Sequence, residues 1–412
     1  MKKLLQSSVF IFSTLLFSQG NNYTHDYAKF PGLAQTPPMG WNSWNKFACN
    51  IDENLIREIA DAMVSSGMRD AGYTYINIDD CWHGERDQNG FIHPDKTRFP
   101  SGMKAIADYV HSKGLKLGIY SDAGSLTCGG RPGSRGYEFQ DAKTYADWGV
   151  DYLKYDWCNT ESLNAEGAYK TITAGLKKAG RPIVLSICEW GDNKPWEWAK
   201  DIGHLWRTTG DIYNCFDCVK DHGTWKAFGV MQILDMQEGL RKYSGPGQWN
   251  DPDMLEVGNG ALSEGEDRAH FSMWAMLNAP LIAGNDLRTM DERTLTVLTN
   301  KKVIAVNQDK LGVQALKFRD EGDFEIWFKP LDNNNWAVAF LNRSREDKSY
   351  VFDWKSSTFT DDEVSNRKFN TNENKYEIEN LWTNRKLGDT RRPLKFIVPG
   401  KDILMLRLNI IK

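Results

Sequence analysis

The sequence predicts an α/β protein, a (β/α)₈ TIM barrel followed by a C-terminal antiparallel β-sandwich. Eight short apolar segments alternate with helical patterns between residues 37 and 299, which favours parallel strands closed into a barrel. Past Gln308 the pattern changes to short β-rich runs separated by turn clusters such as residues 332–335. The length of 412 residues suits a barrel of about 250 residues with a smaller second domain.

The chain divides into three predicted parts. Residues 1–19 resemble an export signal, because Lys2 and Lys3 precede an apolar run at 9–17 that is too short to span a bilayer. The catalytic barrel is predicted over 31–308 and the sandwich over 312–412. We therefore expect an exported protein, periplasmic or secreted, with no membrane span.

The net charge, the aromatic content and the cysteine count of the chain limit the classes of function that it can have. The net charge is −4 and Lys and Arg are scattered, so no nucleic-acid partner is expected. The 16 Trp and 15 Tyr suit the apolar faces of sugar rings as well as they suit packing. In an exported protein the seven Cys are interpreted mainly as disulfides, and their odd number leaves one free.

The elements of the barrel follow in order. The strand segments are predicted at residues 37–44, 73–78, 115–120, 152–155, 183–187, 204–207, 248–254 and 280–283. Helices are predicted at 54–66, 101–111, 138–148, 163–178, 195–200, 225–243, 266–277 and 291–299, the first of them capped by Asp52. The sandwich strands are predicted at 324–328, 336–341, 350–352 and 403–406, with a polar loop at 356–375.

Almost every barrel strand ends in a polar or aromatic residue that a core would not favour. In a closed barrel these ends meet on one face, where enzymes of this architecture keep their chemistry. The residues expected to surround one pocket are Trp41, Asp79, Asp80, Tyr120, Lys154, Asp156, Glu189, Trp190, Arg207, Asp211 and Asp253.

The segment 151–158 carries the strongest chemical signal. Lys154 and Asp156 lie two apart on a predicted strand and so project to the same side. A nearby cation keeps a carboxylate ionised, as a nucleophile or an electrostatic stabiliser requires. The alternative is a structural ion pair at a strand end.

Asp211 is the candidate for a second catalytic carboxyl. It follows a strand on the same face, with Arg207 upstream and Gly210 just before it. An ionised carboxylate with a second, protonated carboxyl about 5 Å away is the minimal apparatus for retaining glycoside cleavage. The alternatives are that Asp211 caps a turn, that Trp41 belongs to the core, and that Asp79 and Asp80 bind a metal. No His-x-x-x-His pattern accompanies these two residues, so no metal is expected, and sugar hydroxyls suit them better.

Six motifs resemble the α-galactosidases of glycoside hydrolase family 27, in order and spacing, between residues 33 and 307. These are Pro-Met-Gly-Trp-Asn-Ser-Trp at 38–44, Asn-Ile-Asp-Asp-Cys-Trp at 77–82, Gly-Ile-Tyr-Ser-Asp at 118–122, Tyr-Leu-Lys-Tyr-Asp at 152–156, Cys-Glu-Trp at 188–190 and Trp-Asn-Asp-Pro-Asp-Met at 249–254. The resemblance implies a retaining enzyme that removes terminal α-D-galactosyl residues from oligosaccharides, galactomannan or glycoconjugates, without a cofactor.

The resemblance also implies roles for individual residues. Asp156 is expected to be the nucleophile and Asp211 the acid/base. Asp79 and Asp80 match residues that hold the 4- and 6-hydroxyls of galactose. The other expected galactose contacts are Trp41, Tyr120, Lys154, Glu189, Trp190, Arg207, Asp253 and Met254.

Disulfides Cys49–Cys81 and Cys128–Cys158 match pairs of this family. Cys215 and Cys218 have no match; their pairing with each other would leave Cys188 free. Three functional alternatives remain: a β-L-arabinopyranosidase, an α-N-acetylgalactosaminidase, or a carbohydrate-binding barrel without activity. Glu189 and Trp190 occupy the place where N-acetylgalactosaminidases carry small residues, so we expect the N-acetyl group to be excluded.

Overall fold

A computed structural model of the protein describes residues 26–411. The predicted export signal at residues 1–19 lies outside this range. Within residues 26–411, no helix combines the length and the apolar character needed to cross a membrane.

The catalytic part is built on eight parallel strands, as predicted. They are β1 Met39–Asn42, β2 Tyr75–Ile78, β3 Lys116–Asp122, β4 Tyr152–Asp156, β5 Val184–Cys188, β6 Leu205–Arg207, β7 Trp249–Asp251 and β8 Leu281–Ala283. Each strand pairs with the next in parallel from β1 to β7, and β8 pairs with β1. The carboxyl ends of all eight strands therefore lie on the same face.

The sheet closes on itself just beyond β7. Leu255 forms a parallel bridge with Ala283 of β8. The backbone N–H of Leu255 donates to the carbonyl of Ile282 at 2.8 Å, and the N–H of Gly284 donates to the carbonyl of Leu255 at 3.1 Å. These bonds join the last strands in the sheet order and complete the barrel.

Helices cover the outside of the barrel. They are Trp44–Phe47, Glu53–Ser65, Met68–Ala71, Met103–Ser112, Glu138–Trp148, Ala165–Ala179, Pro195–Trp198, Val230–Asp235, Glu264–Met276, Glu292–Leu298 and Lys301–Asn307, with 3₁₀ turns at Ala199–Asp201, Arg241–Tyr243 and Leu287–Thr289. The predicted cap of the second helix is confirmed, because Oδ1 of Asp52 accepts a 2.8 Å bond from the N–H of Leu55.

The predicted helix at residues 225–243 is wrong over most of its length. Residues 219–228 form a hairpin whose strands are Val219–Asp221 and Lys226–Phe228. A short helix, Val230–Asp235, follows it, and a 3₁₀ turn covers Arg241–Tyr243. Burial in this region does not follow one helical period, because Val230, Met231, Ile233 and Leu234 are buried whereas Trp225 and Met236 are exposed, so the sequence pattern was misleading. A second hairpin, His83–Arg86 with Ile92–Pro94, follows β2.

The C-terminal part is an antiparallel sandwich. Its main sheet contains, in spatial order, Leu316–Asp320, Phe324–Pro330, Trp336–Asn342, Asp402–Ile411, Lys375–Asn380 and Lys386–Asp389. Two small sheets, Lys348–Phe352 with Leu394–Val398 and Phe359–Thr360 with Lys368–Phe369, are the other strands of this part. Apolar residues from the main sheet and the small sheets share one core.

Alternation along the strands gives the main sheet two buried faces. Phe328, Val338 and Phe340 belong to the core of the sandwich, whereas Trp327 and Ala339 belong to the core of the barrel. The main sheet thus packs against the flank of the barrel, where the strand Asp402–Ile411 lies against the helix Glu264–Met276.

The polar segment 356–375 was predicted to be a loop, but it contains a small two-stranded sheet. It is also tied to the barrel, because Nη1 and Nη2 of Arg241 donate to the two carboxylate oxygens of Asp361 at 2.7 and 2.9 Å.

Candidate active site

A cavity lies at the carboxyl ends of the barrel strands. Its lining residues are Trp44, Asn45, Asp79, Asp80, Tyr120, Cys128, Lys154, Asp156, Trp190, Arg207, Asp211, Asp253 and Met254. Every residue that the sequence assigned to the pocket is among them except Trp41 and Glu189. The strand ends meet as the closed barrel requires.

Asp156 is the last residue of β4 and is buried. Its Oδ1 accepts a 3.0 Å hydrogen bond from the backbone N–H of Trp157, and its Oδ2 lies 3.6 Å from Sγ of Cys128. Burial raises the pKa of Asp156 to about 6; the ammonium of Lys154 opposes this rise and the carboxylate of Asp211 adds to it. At neutral pH Asp156 is therefore mainly anionic.

Lys154 forms its direct ion pair with Asp79. Its Nζ donates to Oδ2 of Asp79 at 2.8 Å and lies 5.3 Å from the ring centre of Tyr120. Burial lowers the pKa of Lys154, but the surrounding acidic groups, Asp79 foremost and then Asp156, together outweigh this effect, and the pKa stands well above its ordinary value. Lys154 thus remains a cation and acts on Asp156 through space.

Asp79 and Asp80 follow β2 and are both buried. Oδ2 of Asp79 also accepts a 2.7 Å bond from Nδ2 of Asn42. Oδ2 of Asp80 accepts a 2.6 Å bond from the N–H of Gly129, where a Cβ would lie only 2.9 Å from that same oxygen. Burial raises the pKa of Asp80. The two carboxylates are held rigidly and can each accept further hydrogen bonds from a ligand.

Arg207 forms ion pairs with two further carboxylates of the cavity, those of Asp211 and Asp253. Its Nη2 lies 2.9 Å from Oδ2 of Asp253 and 3.1 Å from Oδ1 of Asp211. Asp253 accepts two more bonds of 2.8 Å, from the N–H groups of Ile212 and Met254. Asp211 is the more open of the two, with 39% of its side chain exposed. Asp253 is fixed by the protein, whereas Asp211 retains an oxygen free to act on a ligand.

Trp41 does not line the cavity. Its side chain is fully buried, and its Nε1 donates a 2.7 Å bond to the carbonyl of Asn285. Trp44 and Asn45, at the start of the short helix after β1, line the cavity instead. Sequence reasoning placed Trp44 in the same motif but did not single it out, since nothing in that motif distinguishes the two indoles.

Glu189 lies behind the cavity wall, and Trp190 forms the wall itself. Oε2 of Glu189 accepts bonds of 2.6 and 2.7 Å from the backbone and side-chain nitrogens of Asn193. Burial raises the pKa of Glu189 to about 7, against the effect of these bonds. Trp190 has a φ of 57°, and a Cβ at Gly191 would lie 2.4 Å from the carbonyl of Thr208. This tight turn aims Trp190 into the cavity.

The predicted disulfides Cys49–Cys81 and Cys128–Cys158 are both present. Cys215 and Cys218 form a third disulfide, and Cys188 is free and buried. The Cys128–Cys158 bond reaches the cavity through Cys128.

Sequence reasoning missed Asp122, a buried residue at the end of β3. Its Oδ1 accepts a 2.7 Å bond from the N–H of Gly124, and its Oδ2 accepts a 3.0 Å bond from the N–H of Cys158. Burial and the nearby charge of Asp156 raise its pKa to about 9. Through its two hydrogen bonds, Asp122 joins the loop that carries Gly124 to the loop that carries Cys158. Its position at a strand end was the available signal.

Among residues 26–411 the structure brings three possible metal ligands together only at Asp122, Cys128 and Cys158. The two sulfur atoms are joined in a disulfide and cannot bind as thiolates. This donor set does not fit a metal ion.

Known proteins share this architecture. A family model described as alpha galactosidase A matches residues 36–309, and one described as the alpha galactosidase C-terminal beta sandwich domain matches residues 321–408. Alpha-galactosidase A of Cellvibrio japonicus is 61% identical over 381 residues, which are 92% of this chain and 94% of that protein.

Solved structures of α-galactosidases are also similar to this chain. Alpha-galactosidase I of Mortierella vinacea has a TM-score of 0.85 and 38% identity, over 92% of this chain and 98% of that one. The alpha-galactosidase of Saccharomyces cerevisiae, solved with raffinose, has a TM-score of 0.84 and 31% identity, over 94% of this chain and 100% of that one. The chain therefore belongs to the α-galactosidases of glycoside hydrolase family 27, retaining enzymes that hydrolyse terminal α-galactosyl residues.

Proposed function

We propose that Asp156 is the nucleophile and Asp211 the acid/base of a double-displacement α-galactosidase. The observation that carries this assignment is that both carboxyl groups line the same cavity, one buried beside a cation and the other partly open. The charge of Asp211 contributes to the raised pKa of Asp156, so the two carboxyl groups interact across the cavity.

In the first step a carboxylate oxygen of Asp156 attacks the anomeric carbon of the galactosyl unit. The glycosidic C–O bond breaks, and Asp211 transfers its proton to the departing oxygen. Asp156 becomes a neutral ester, and the leaving group departs as an alcohol. The attacking carboxylate is held in place by the hydrogen bond that it accepts from the N–H of Trp157 and by its contact with Sγ of Cys128.

In the second step Asp211 acts as a base. It takes a proton from a water molecule, whose oxygen attacks the anomeric carbon and displaces Asp156 as a carboxylate. Esterification has removed the negative charge of Asp156, so no like charge on that residue opposes the carboxylate of Asp211 in this step. Two inversions give overall retention, so α-galactose is the product formed first.

The remaining polar groups bind the galactosyl unit. Asp79 and Asp80 would hold the 4- and 6-hydroxyls, since each keeps acceptor capacity beyond its protein partners. Lys154 and Asp253 would add a donor and an acceptor. An epimer with an equatorial 4-hydroxyl would leave a buried carboxylate unpaired, which costs about 1–3 kcal/mol or more for a charged group. This cost would select galactose over glucose.

Two related substrates are disfavoured by particular residues. A β-L-arabinopyranoside lacks the 6-hydroxymethyl group and would leave one of the two aspartates without its partner. An α-N-acetylgalactosaminide carries a bulky 2-acetamide, and Trp190 occupies the cavity wall where the family's N-acetylgalactosaminidases have room. We therefore expect aryl α-galactosides to be cleaved at least about tenfold faster than both.

The test of the assignment is a covalent trap. A ring-fluorinated α-galactosyl donor that reacts quickly but whose ester hydrolyses slowly should add the mass of one fluorogalactosyl group to the peptide containing Asp156. The Asp156→Asn variant should remain unlabelled, and NMR should show α-galactose before its equilibration. A label on another residue, or β-galactose as the first product, would refute the assignment. A folded protein that cleaves no α-galactoside would instead be a binding protein.

We also propose that the protein works in an oxidising compartment, either a periplasm or the extracellular medium. Three disulfides within residues 26–411 support this location. Mass spectrometry of protein from its native host should find a mature chain beginning near Gly20. A full-length chain retained in the cytoplasm with reduced cysteines would contradict the proposal.

A further inference from the structure

The hairpin at residues 219–228 is hydrogen-bonded directly to the segment that carries Asp211. The N–H of Phe228 donates a 2.9 Å bond to the carbonyl of Asp211, and the N–H of Tyr213 donates a 2.7 Å bond to the carbonyl of Phe228. At its base, the Cys215–Cys218 disulfide closes a tight loop. The position of the hairpin relative to Asp211 is therefore fixed by backbone hydrogen bonds, and the disulfide restrains the loop that leads into the hairpin.

This hairpin forms the outer wall of a second cavity of about 610 Å³. The second cavity shares Trp44, Cys128, Trp190 and Asp211 with the cavity of the active site. The hairpin contributes Trp225, Lys226 and Phe228 to its lining, and Asp192 is a further polar group there. Its volume lies in the range of about 300–1,000 Å³ that is typical of small-molecule sites.

Trp225 is the most exposed of the aromatic residues that line the second cavity, with 49% of it exposed. Its ring stacks on His222 at a centroid distance of 4.1 Å and an interplanar angle of 8°. His222 does not line the cavity, whereas Trp225 does. The stack therefore supports the indole in an orientation that presents its surface to the cavity. A supported, exposed indole is a ready stacking surface for the apolar face of a sugar ring.

We propose that the second cavity binds the leaving-group sugar of an oligosaccharide substrate, with Trp225 as its stacking platform. This inference rests on the proposed function. Asp211 lines both cavities, so the glycosidic oxygen that it protonates would lie at the boundary between them. The galactosyl unit would occupy the inner cavity and the rest of the substrate the outer one. Asp192 and Lys226 can pair with hydroxyl groups, which favours a sugar over an alkyl or lipid leaving group.

The experiment compares two substrates that differ in their leaving groups. α-Galactosyl fluoride loses a single atom and cannot use the outer cavity, whereas raffinose loses a disaccharide. For Trp225→Ala we expect kcat/KM on raffinose to fall by about 5–20-fold, chiefly through KM, as loss of one stacking contact predicts. The same variant should keep kcat/KM on α-galactosyl fluoride within about twofold of wild type.

Two further variants control the comparison. Phe91→Ala removes another exposed aromatic side chain, one that lines neither cavity. This variant should leave kcat/KM unchanged on both substrates. Trp225→Tyr keeps an aromatic face and should recover most of the loss on raffinose. Thermal unfolding of each variant checks the fold, and Trp225→Leu, which keeps apolar bulk but has no aromatic face, replaces the alanine variant in the comparison if that variant does not fold.

The outcomes separate the two proposals. If wild type fails to cleave α-galactosyl fluoride, the proposed function itself is wrong. If Trp225→Ala affects both substrates equally or neither, or if Trp225→Tyr recovers nothing, the outer cavity does not bind the leaving sugar. A larger loss on octyl α-galactoside than on raffinose would assign the cavity to apolar leaving groups instead and would also overturn the proposal.

Discussion

Nζ of Lys154 donates a 2.8 Å hydrogen bond to Oδ2 of Asp79. The bond joins β4 to the end of β2 across the intervening strand β3. It leaves Asp156, two residues along β4, with the field of the ammonium but without a direct bond to it. Burial therefore prevails at Asp156 and raises its pKa. The first three predictions follow from this division of charge.

Asp156→Asn should abolish turnover without loss of the fold. Removal of a nucleophile costs about 10⁴-fold or more in kcat, because no other group lies in position to form the ester. The thermal midpoint at pH 7 should equal or exceed that of wild type, since the variant no longer buries a charge. Activity assays and calorimetry check both points; retained turnover would remove Asp156 from the mechanism.

The stability difference between Asp156→Asn and wild type should depend on pH. The pKa of about 6 in the folded state exceeds the ordinary value near 3.8, so the ionised carboxylate destabilises the fold above pH 6. This penalty shrinks as the pH falls through 6 and is gone below about 4, where both states are protonated. Unfolding measured from pH 4 to 7 should show the two midpoints converging at low pH, and parallel midpoints would contradict the raised pKa.

The acidic limb of the kcat/KM profile should have a midpoint near 6, because Asp156 must be ionised in the free enzyme. Lys154→Met should move that midpoint upwards by about one pH unit, since an opposite charge nearby lowers a carboxyl pKa. The variant also unpairs Asp79, so KM should rise. An unmoved midpoint would show that another group controls the limb.

Asp211→Asn should be rescued by good leaving groups. Loss of acid catalysis typically costs about 10²–10⁴-fold, and this cost falls when the departing oxygen needs no proton. We expect a loss of about 10³-fold on raffinose and of only about tenfold on α-galactosyl fluoride or a dinitrophenyl galactoside. Equal losses on all leaving groups would assign Asp211 a different role.

Arg241→Met should destabilise the protein by about 3–5 kcal/mol, because it leaves the carboxylate of Asp361 buried and unpaired. The double variant Arg241→Met/Asp361→Leu should recover much of this loss. The pKa of Asp361 is lowered despite its burial, chiefly through the bond to Arg241. The stability from this pair is therefore present above about pH 4 and is lost below it. Urea denaturation of the three proteins tests the pair; additive effects of the two substitutions would contradict it.

Much of the site could be predicted because it depends on local sequence. The alternation of apolar strands and helices determines a parallel barrel, and a parallel barrel brings strand ends such as Asp79, Asp156 and Arg207 to one face. The family motifs were recognisable from residue types and spacing, and the resemblance they carry implied two of the disulfides. These features needed no knowledge of how side chains pack.

Contacts between distant segments were decided only by the tertiary structure. Lys154 forms its hydrogen bond with Asp79 and not with Asp156. Trp41 is buried in the core, whereas Trp44 lines the cavity. Residues 219–228 form a hairpin in place of a helix. In each case two similar outcomes were available to the local sequence. Long-range burial and hydrogen bonding, such as the bonds between the hairpin and the segment of Asp211, selected one of them.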